Sequence, residues 1–279
     1  MKKISLMALV VAGAMLLTNC KKEEKGTGTN NNGGSSITVT QQQNALVVEP
    51  TATWCGPCGT YGKPVTDDVL SSNPKAIGIY AHLKAPASDI GSQTGQDLAV
   101  LYGAANAAGT SYSIPKIAVG NNVTGAYTDL NYTKGIINGY INTITAQTSK
   151  ANTKIEATIS GTTLNVKAHT KFFEAGVAGS TYKISLILVE DKISNRQNHN
   201  GTGYTVVEHH NVARATITTA TSGDNLLASG VPANGELITK EYSTTLNSNW
   251  NKDNLTVIAI LWKQDGTTLT FLNVDKLDL

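Results

Sequence analysis

Two cysteines three positions apart, Cys55 and Cys58, stand between a short β-branched run and a helical stretch, and that placement constrains the fold more than anything else in the chain. Residues 45–49 (ALVVE) suit a buried strand. They lead through Pro50, Thr51, Ala52 and Thr53 into Trp54-Cys55-Gly56-Pro57-Cys58, beyond which Val65, Val69 and Leu70 mark one side of a helix and Asp67 and Asp68 the other. Strand, loop, C-x-x-C, helix is the setting that separates a dithiol site from a chance cysteine pair. A helix N-terminus presents unpaired N–H groups and the positive end of the helix dipole, which favour thiolate over thiol. Cys55 is therefore the expected nucleophile, and Cys58, one turn inward, the residue that resolves the mixed disulfide. Two alternatives stay open. The pair can form a structural disulfide without turnover, or it can hold a metal, which needs two more ligands. His82 is the nearest histidine in sequence and has no partner at recognisable spacing, so neither a metal site nor a cofactor is expected.

Composition narrows the remainder. Among 279 residues the third cysteine is Cys20, so no disulfide framework can hold the fold and buried apolar surface must do it. Net charge is +2, with 22 Lys+Arg against 20 Asp+Glu and 15% charged residues, and no broad basic face for nucleic acid is expected. An apolar fraction of 40% with 26 glycines points to strand and turn. At about 100–200 residues per domain, the length suits one or two domains.

The start of the chain reads as an address. Lys2 and Lys3 precede an apolar run, residues 4–17, too short to span a bilayer as a helix, which is the pattern of a signal peptide. Leu16-Leu17-Thr18-Asn19-Cys20 resembles the lipobox of bacterial lipoproteins, with Asn19 departing from the usual small residue, and implies lipidation at Cys20 and attachment to a bilayer. Ordinary signal-peptidase cleavage with Cys20 incidental is the alternative. Residues 21–25 (KKEEK) resemble the export signal of surface lipoproteins of Bacteroidetes, and residues 26–36 (GTGTNNNGGSS) read as a flexible tether. The expected division is signal peptide and lipobox 1–20, tether 21–36, and folded body from residue 37.

Residues 54–58 (WCGPC) match the active-site sequence of thioredoxins. Ile114-Pro115 before the apolar residues 117–119 resembles the thioredoxin cis-proline loop, which faces the dithiol and aligns substrate; the resemblance assigns substrate binding to Trp54, Gly56, Pro57, Ile114 and Pro115. Six residues before Cys55, where thioredoxins carry a buried Asp, stands Glu49, a candidate to take the proton from Cys58. Glu49 as a solvent-facing strand end is the alternative. Further elements fit an α/β thioredoxin-like domain over residues 37–150: a strand at 75–80, a helix-rich insertion at 93–108, a hairpin of 117–119 with 125–127, and a closing helix at 132–147.

Beyond residue 150 the pattern changes to strands, at 153–159, 163–170, 181–190, 204–208, 213–218, 236–245, 254–262 and 268–274, with Asp265-Gly266 as a hairpin turn. An all-β antiparallel, Ig-like sandwich over 151–279, rather than a continued α/β sheet, is expected. Val189-Glu190-Asp191 and residues 207–214 (VEHHNVAR) resemble the carboxy-terminal half of Omp28-related lipoproteins of Bacteroidetes, in which a thioredoxin-like domain precedes a β-sandwich. His209 and His210 fall on opposite strand faces and make poor joint ligands, even with His199 nearby. Arg214 suits an ion pair with Glu190, Asp191 or Glu208.

The resemblances together imply an outer-membrane lipoprotein that is a thiol-disulfide oxidoreductase, a reductant by its Gly-Pro dipeptide and Ile114. Its partners are protein thiols and disulfides, an unidentified electron donor, and the bilayer through Cys20. The alternative is a non-catalytic envelope lipoprotein whose sandwich recognises a protein or glycan.

Overall fold

In the computed structural model of the chain, residues 37–84 and 89–279 are described. The expected signal peptide, Cys20, the KKEEK segment and the expected tether lie outside them. β1 (Ala45–Thr51) is buried along its whole length because helices cover one of its faces and strands and a helix meet the other. After the dithiol loop comes a single π-helical turn (Cys58–Gly62), continued without a break by α1 (Lys63–Ser72). Pro64, at the start of α1, has no N–H to donate, and the widened turn before it accommodates that missing rung. β2 (Ala76–His82) runs parallel to β1, setting Glu49 opposite Tyr80 and Thr51 opposite His82. α2 (Gln93–Leu101) starts where the Ser92 side chain accepts from the Gly95 N–H. The expected insertion to residue 108 is helical only as far as Leu101, beyond which small residues and glycines form turns closed by a bridge between Ala105 and Tyr112.

The Ile114–Pro115 peptide is cis and opens β3 (Lys116–Val119), which lies antiparallel to β1 and turns back as β4 (Asn122–Gly125). α3 (Leu130–Thr145), capped by Asp129, packs Ile137, Ile141 and Ile144 against β1, β3 and α1. The second half then supplies β5 (Ala151–Ser160), β6 (Thr163–Phe172), β7 (Thr181–Glu190), β8 (Ile193–His199), β9 (Gly203–His209), β10 (Val212–Thr216), β11 (Asp224–Asn225), β12 (Leu237–Thr245), β13 (Leu255–Asp265) and β14 (Thr268–Asp278).

One large sheet takes strands from both halves, in the order β14-β13-β7-β10-β2-β1-β3-β4, with β11 beside β7. This corrects the expectation of a sandwich separate from the α/β sheet: β10 pairs parallel with β2, Val212 opposite Tyr80. Two antiparallel layers do face each other, since the β12-β6-β5 sheet packs on β7 and β13, but the second layer is the shared sheet itself. The periodicity explains the join. Ile184, Leu186 and Leu188 of β7 face the small sheet while Ile187 and Val189 face the core beneath α2, so the strand is apolar on both sides. Residues 37–279 accordingly form one unit. β8 and β9 leave the sheet as a two-stranded hairpin of their own, and β8 was not anticipated. Among the described residues no helix is long and apolar enough to cross a membrane.

Candidate functional site

The loop after β1 carries the cysteines to the start of the helix, where Cys55 and Cys58 are joined in a disulfide. The Cys58 N–H points at Cys55 Sγ over 3.2 Å, so the helix start does supply a donor to this sulfur. Cys55 is 5% exposed and Cys58 fully buried, so Cys55 is the less enclosed of the two. Its Sγ lies 4.0 Å from the Ile114 carbonyl oxygen, which brings the cis-proline loop against the dithiol. Trp54 and Ile114 pack around the pair, and Trp54 meets Tyr112 at 5.0 Å between ring centroids. Pro57 is exposed and Gly56 buried.

Beneath the π turn lies Glu49. It has no exposure to solvent, which excludes the strand-end alternative. Neither carboxyl oxygen has a hydrogen-bond partner. Burial pushes its pKa up to about 8, with Asp67 adding to the rise; Thr66, Lys63 and Thr51 lie close enough to oppose it. Gly62 explains how the carboxyl comes so near the helix start. A Cβ there would sit 2.5 Å from Glu49 Oε1 and 2.9 Å from Pro115 Cβ, so a side chain at this position would push apart the π turn, the carboxyl and the proline loop. Around Glu49 the polar face of β2 continues with Tyr80, whose hydroxyl donates to Asp67 and whose pKa burial raises. His82 and His209 are both buried and meet edge to face at 5.1 Å. Burial holds both neutral, His82 well below the usual histidine range and His209 at about 4.

A third wall comes from the β8–β9 hairpin. The Gln197 side-chain amide donates to the carbonyls of Ala52 (3.2 Å) and Cys55 (3.0 Å). The Asn198 backbone N–H donates to Thr53 O at 2.7 Å and its side chain to Trp54 O at 3.0 Å. At the hairpin tip the Asn200 N–H donates to the Thr60 hydroxyl, 2.8 Å, which itself donates to Gly56 O. Every carbonyl from Ala52 to Cys55 thus meets a donor from the hairpin.

The family model of outer membrane protein Omp28 matches residues 114–279, more than half of the sequence. The chain belongs to the Omp28 family. Membership places it in the cell envelope, at the outer membrane. Among solved structures it resembles HBP35 of Porphyromonas gingivalis, with a TM-score of 0.67 at 17% identity over 87% of this chain and 77% of that one. A domain of the outer membrane lipoprotein Omp28 from the same organism matches 47% of this chain and 88% of its own length, at 15% identity and a TM-score of 0.31. No curated protein matches significantly.

The Omp28 segment contributes Ile114, Pro115, Gln197 and Asn198 to the site, while Cys55, Cys58 and Glu49 precede it. Sequence reasoning found the cysteines, the proline loop and Glu49, and missed Gln197, Asn198 and Tyr112. A polar strand such as ISNRQNH has no apolar alternation to betray it, because Gln197 is buried for its donors rather than for its apolar surface. Of the two adjacent histidines, His209 is buried against His82, while half-exposed His210 pairs with Asp191 at 2.8 Å. Arg214 takes Glu190 among its three expected partners, at 2.8 Å.

Proposed function

We propose that this Omp28-family chain is a lipid-anchored thiol-disulfide oxidoreductase whose residues 37–150 form a thioredoxin-like WCGPC half of the shared fold, working as a reductant of protein disulfides in the envelope. The observation that carries the proposal is the convergence, around one cysteine pair at a helix start, of the Ile114 carbonyl oxygen 4.0 Å from Cys55 Sγ and a fully buried carboxyl, Glu49, against the same turn. A structural disulfide needs neither.

In the reduced protein the Cys55 thiolate attacks a substrate disulfide. The substrate S–S bond breaks, a mixed disulfide forms at Cys55, and one substrate thiolate leaves and takes up a proton. Cys58 gives its proton to Glu49 and attacks Cys55 Sγ, closing the Cys55–Cys58 bond and expelling the second substrate thiolate, which is protonated in turn. Two electrons and two protons pass from dithiol to substrate. With a pKa of about 8, Glu49 can accept and return a proton near neutral pH. The backbone beside Pro115 aligns the substrate strand, and Trp54, Gly56 and Pro57 line its approach. A dithiol donor in the envelope restores the reduced state, and lipid on Cys20 holds the enzyme at the membrane. Reduction of insulin with dithiothreitol as donor is expected to run well above background, and to fall to background for Cys55→Ser. Background rates for the folded wild-type protein would refute the proposal and leave the non-catalytic binding lipoprotein in its place.

A further inference from the structure

The oxidised dithiol loop is held from outside its own helix and strand, by a hairpin that arises between β7 and β10 in the second half of the chain. Its contacts are of an unusual kind. Four of its hydrogen bonds are directed at the carbonyl oxygens of four consecutive residues, Ala52 through Cys55, rather than at the sulfurs. Gln197, whose amide serves two of the four, is 2% exposed, so water cannot replace it. Nor is the approach loose: a Cβ on Gly59 would lie 2.2 Å from the Asn198 carbonyl oxygen, and one on Gly56 would lie 2.4 Å from Asn200 Oδ1.

We infer that the β8–β9 hairpin is a working part of the redox site and that Gln197 is its positioning residue, setting the reactivity and the redox equilibrium of the Cys55–Cys58 pair by holding the carbonyls of the dithiol loop. The inference deepens the oxidoreductase proposal and rests on it for its biological purpose. Electrostatics gives the direction. A carbonyl whose oxygen is engaged by an amide donor is a weaker negative pole toward Cys55 Sγ, and the loop so held carries the Cys58 N–H that meets this sulfur at 3.2 Å. A thiolate at Cys55 gains from this and the uncharged disulfide gains little. The clamp therefore favours the reduced protein, as any device that stabilises the thiolate does. For the exchange of the protein disulfide with two glutathione thiols, giving the dithiol and glutathione disulfide, removal of the donor shifts the balance toward the protein disulfide.

The test is the equilibrium of the full folded protein with defined glutathione mixtures, read by alkylation and mass. It is paired with the pH dependence of iodoacetamide labelling of Cys55 in the reduced protein. Gln197→Met, of similar length and with no donor, is expected to move the equilibrium toward disulfide by about three- to tenfold, the worth of one net hydrogen bond, and to move the labelling midpoint to higher pH. Gln197→Glu, which sets an acceptor against two carbonyls, is expected to move both further. Asn198→Ala removes the donor to Trp54 O alone and keeps the backbone bond, so it shows a smaller shift of the same sign if the Gln197 variants do not fold. Folded variants with wild-type equilibrium and wild-type labelling profile would overturn the inference. Both readouts are independent of turnover, so an inert wild-type protein in the insulin assay sinks the oxidoreductase and not the clamp. An active wild-type protein with indifferent variants sinks the clamp and not the oxidoreductase.

Discussion

Glu49 sits at the residue where sequence and structure meet most closely. Its place six residues before Cys55 is legible, and so is the alternative of an exposed strand end; burial removes that alternative, and burial is not written in one residue. With a folded-state pKa near 8 against an ordinary 4.5, the folded protein keeps a proton that the unfolded chain releases. The unfolded state then binds fewer protons between these two values, and stability falls as pH rises through that window, by about 1.4 kcal/mol per pH unit. Glu49→Gln has no such proton to lose. Its stability advantage over the wild-type protein is expected to be small below pH 4.5 and to grow until about pH 8, read from denaturant midpoints across that range. A constant difference across the window would show that Glu49 titrates normally. The same variant is expected to slow closure of the Cys55–Cys58 bond, because the proton of Cys58 loses its acceptor.

At the scale of elements, legibility followed hydrophobic periodicity. The strands at 45–49, 181–190 and 254–262 announce themselves by apolar β-branched runs, and the structure extends each by a few residues at most. α3 was legible for the same reason, with Ile137, Ile141 and Ile144 on one face. What periodicity cannot report is an element whose buried side does polar work. β8 buries Gln197 to satisfy carbonyls, and the π turn is made by Pro64 and by the close packing at Gly62, neither of which leaves a repeating pattern. β8 and the π turn finish the site, and there local propensity yields to a specific requirement of geometry.

Across the whole molecule, the division at residue 150 marks a change of composition, while hydrogen bonding runs straight through it. β10 lies on β2, and the buried Asn273 of β14 accepts from the Asn44 N–H (3.0 Å) and donates to Ser149 Oγ (3.0 Å) and Ala151 O (2.9 Å), joining the start, middle and end of the folded chain. Strand adjacency across such sequence distances leaves no local mark, which is why two domains were expected where one shared sheet occurs. Residues 37–279 are accordingly expected to unfold in a single calorimetric transition, with calorimetric and van't Hoff enthalpies equal. Two resolved transitions would restore the picture of independent halves. The shared sheet also brings the Omp28-family segment to the dithiol, so residues of both halves surround Cys55. Its most direct test is capture of the intermediate: Cys58→Ser, reduced and mixed with a disulfide-bonded protein such as insulin, is expected to accumulate a mixed disulfide that peptide mapping places on Cys55. A folded Cys58→Ser protein that forms no such adduct, while its Cys55 thiol remains free, would contradict the assignment of this pair to disulfide exchange.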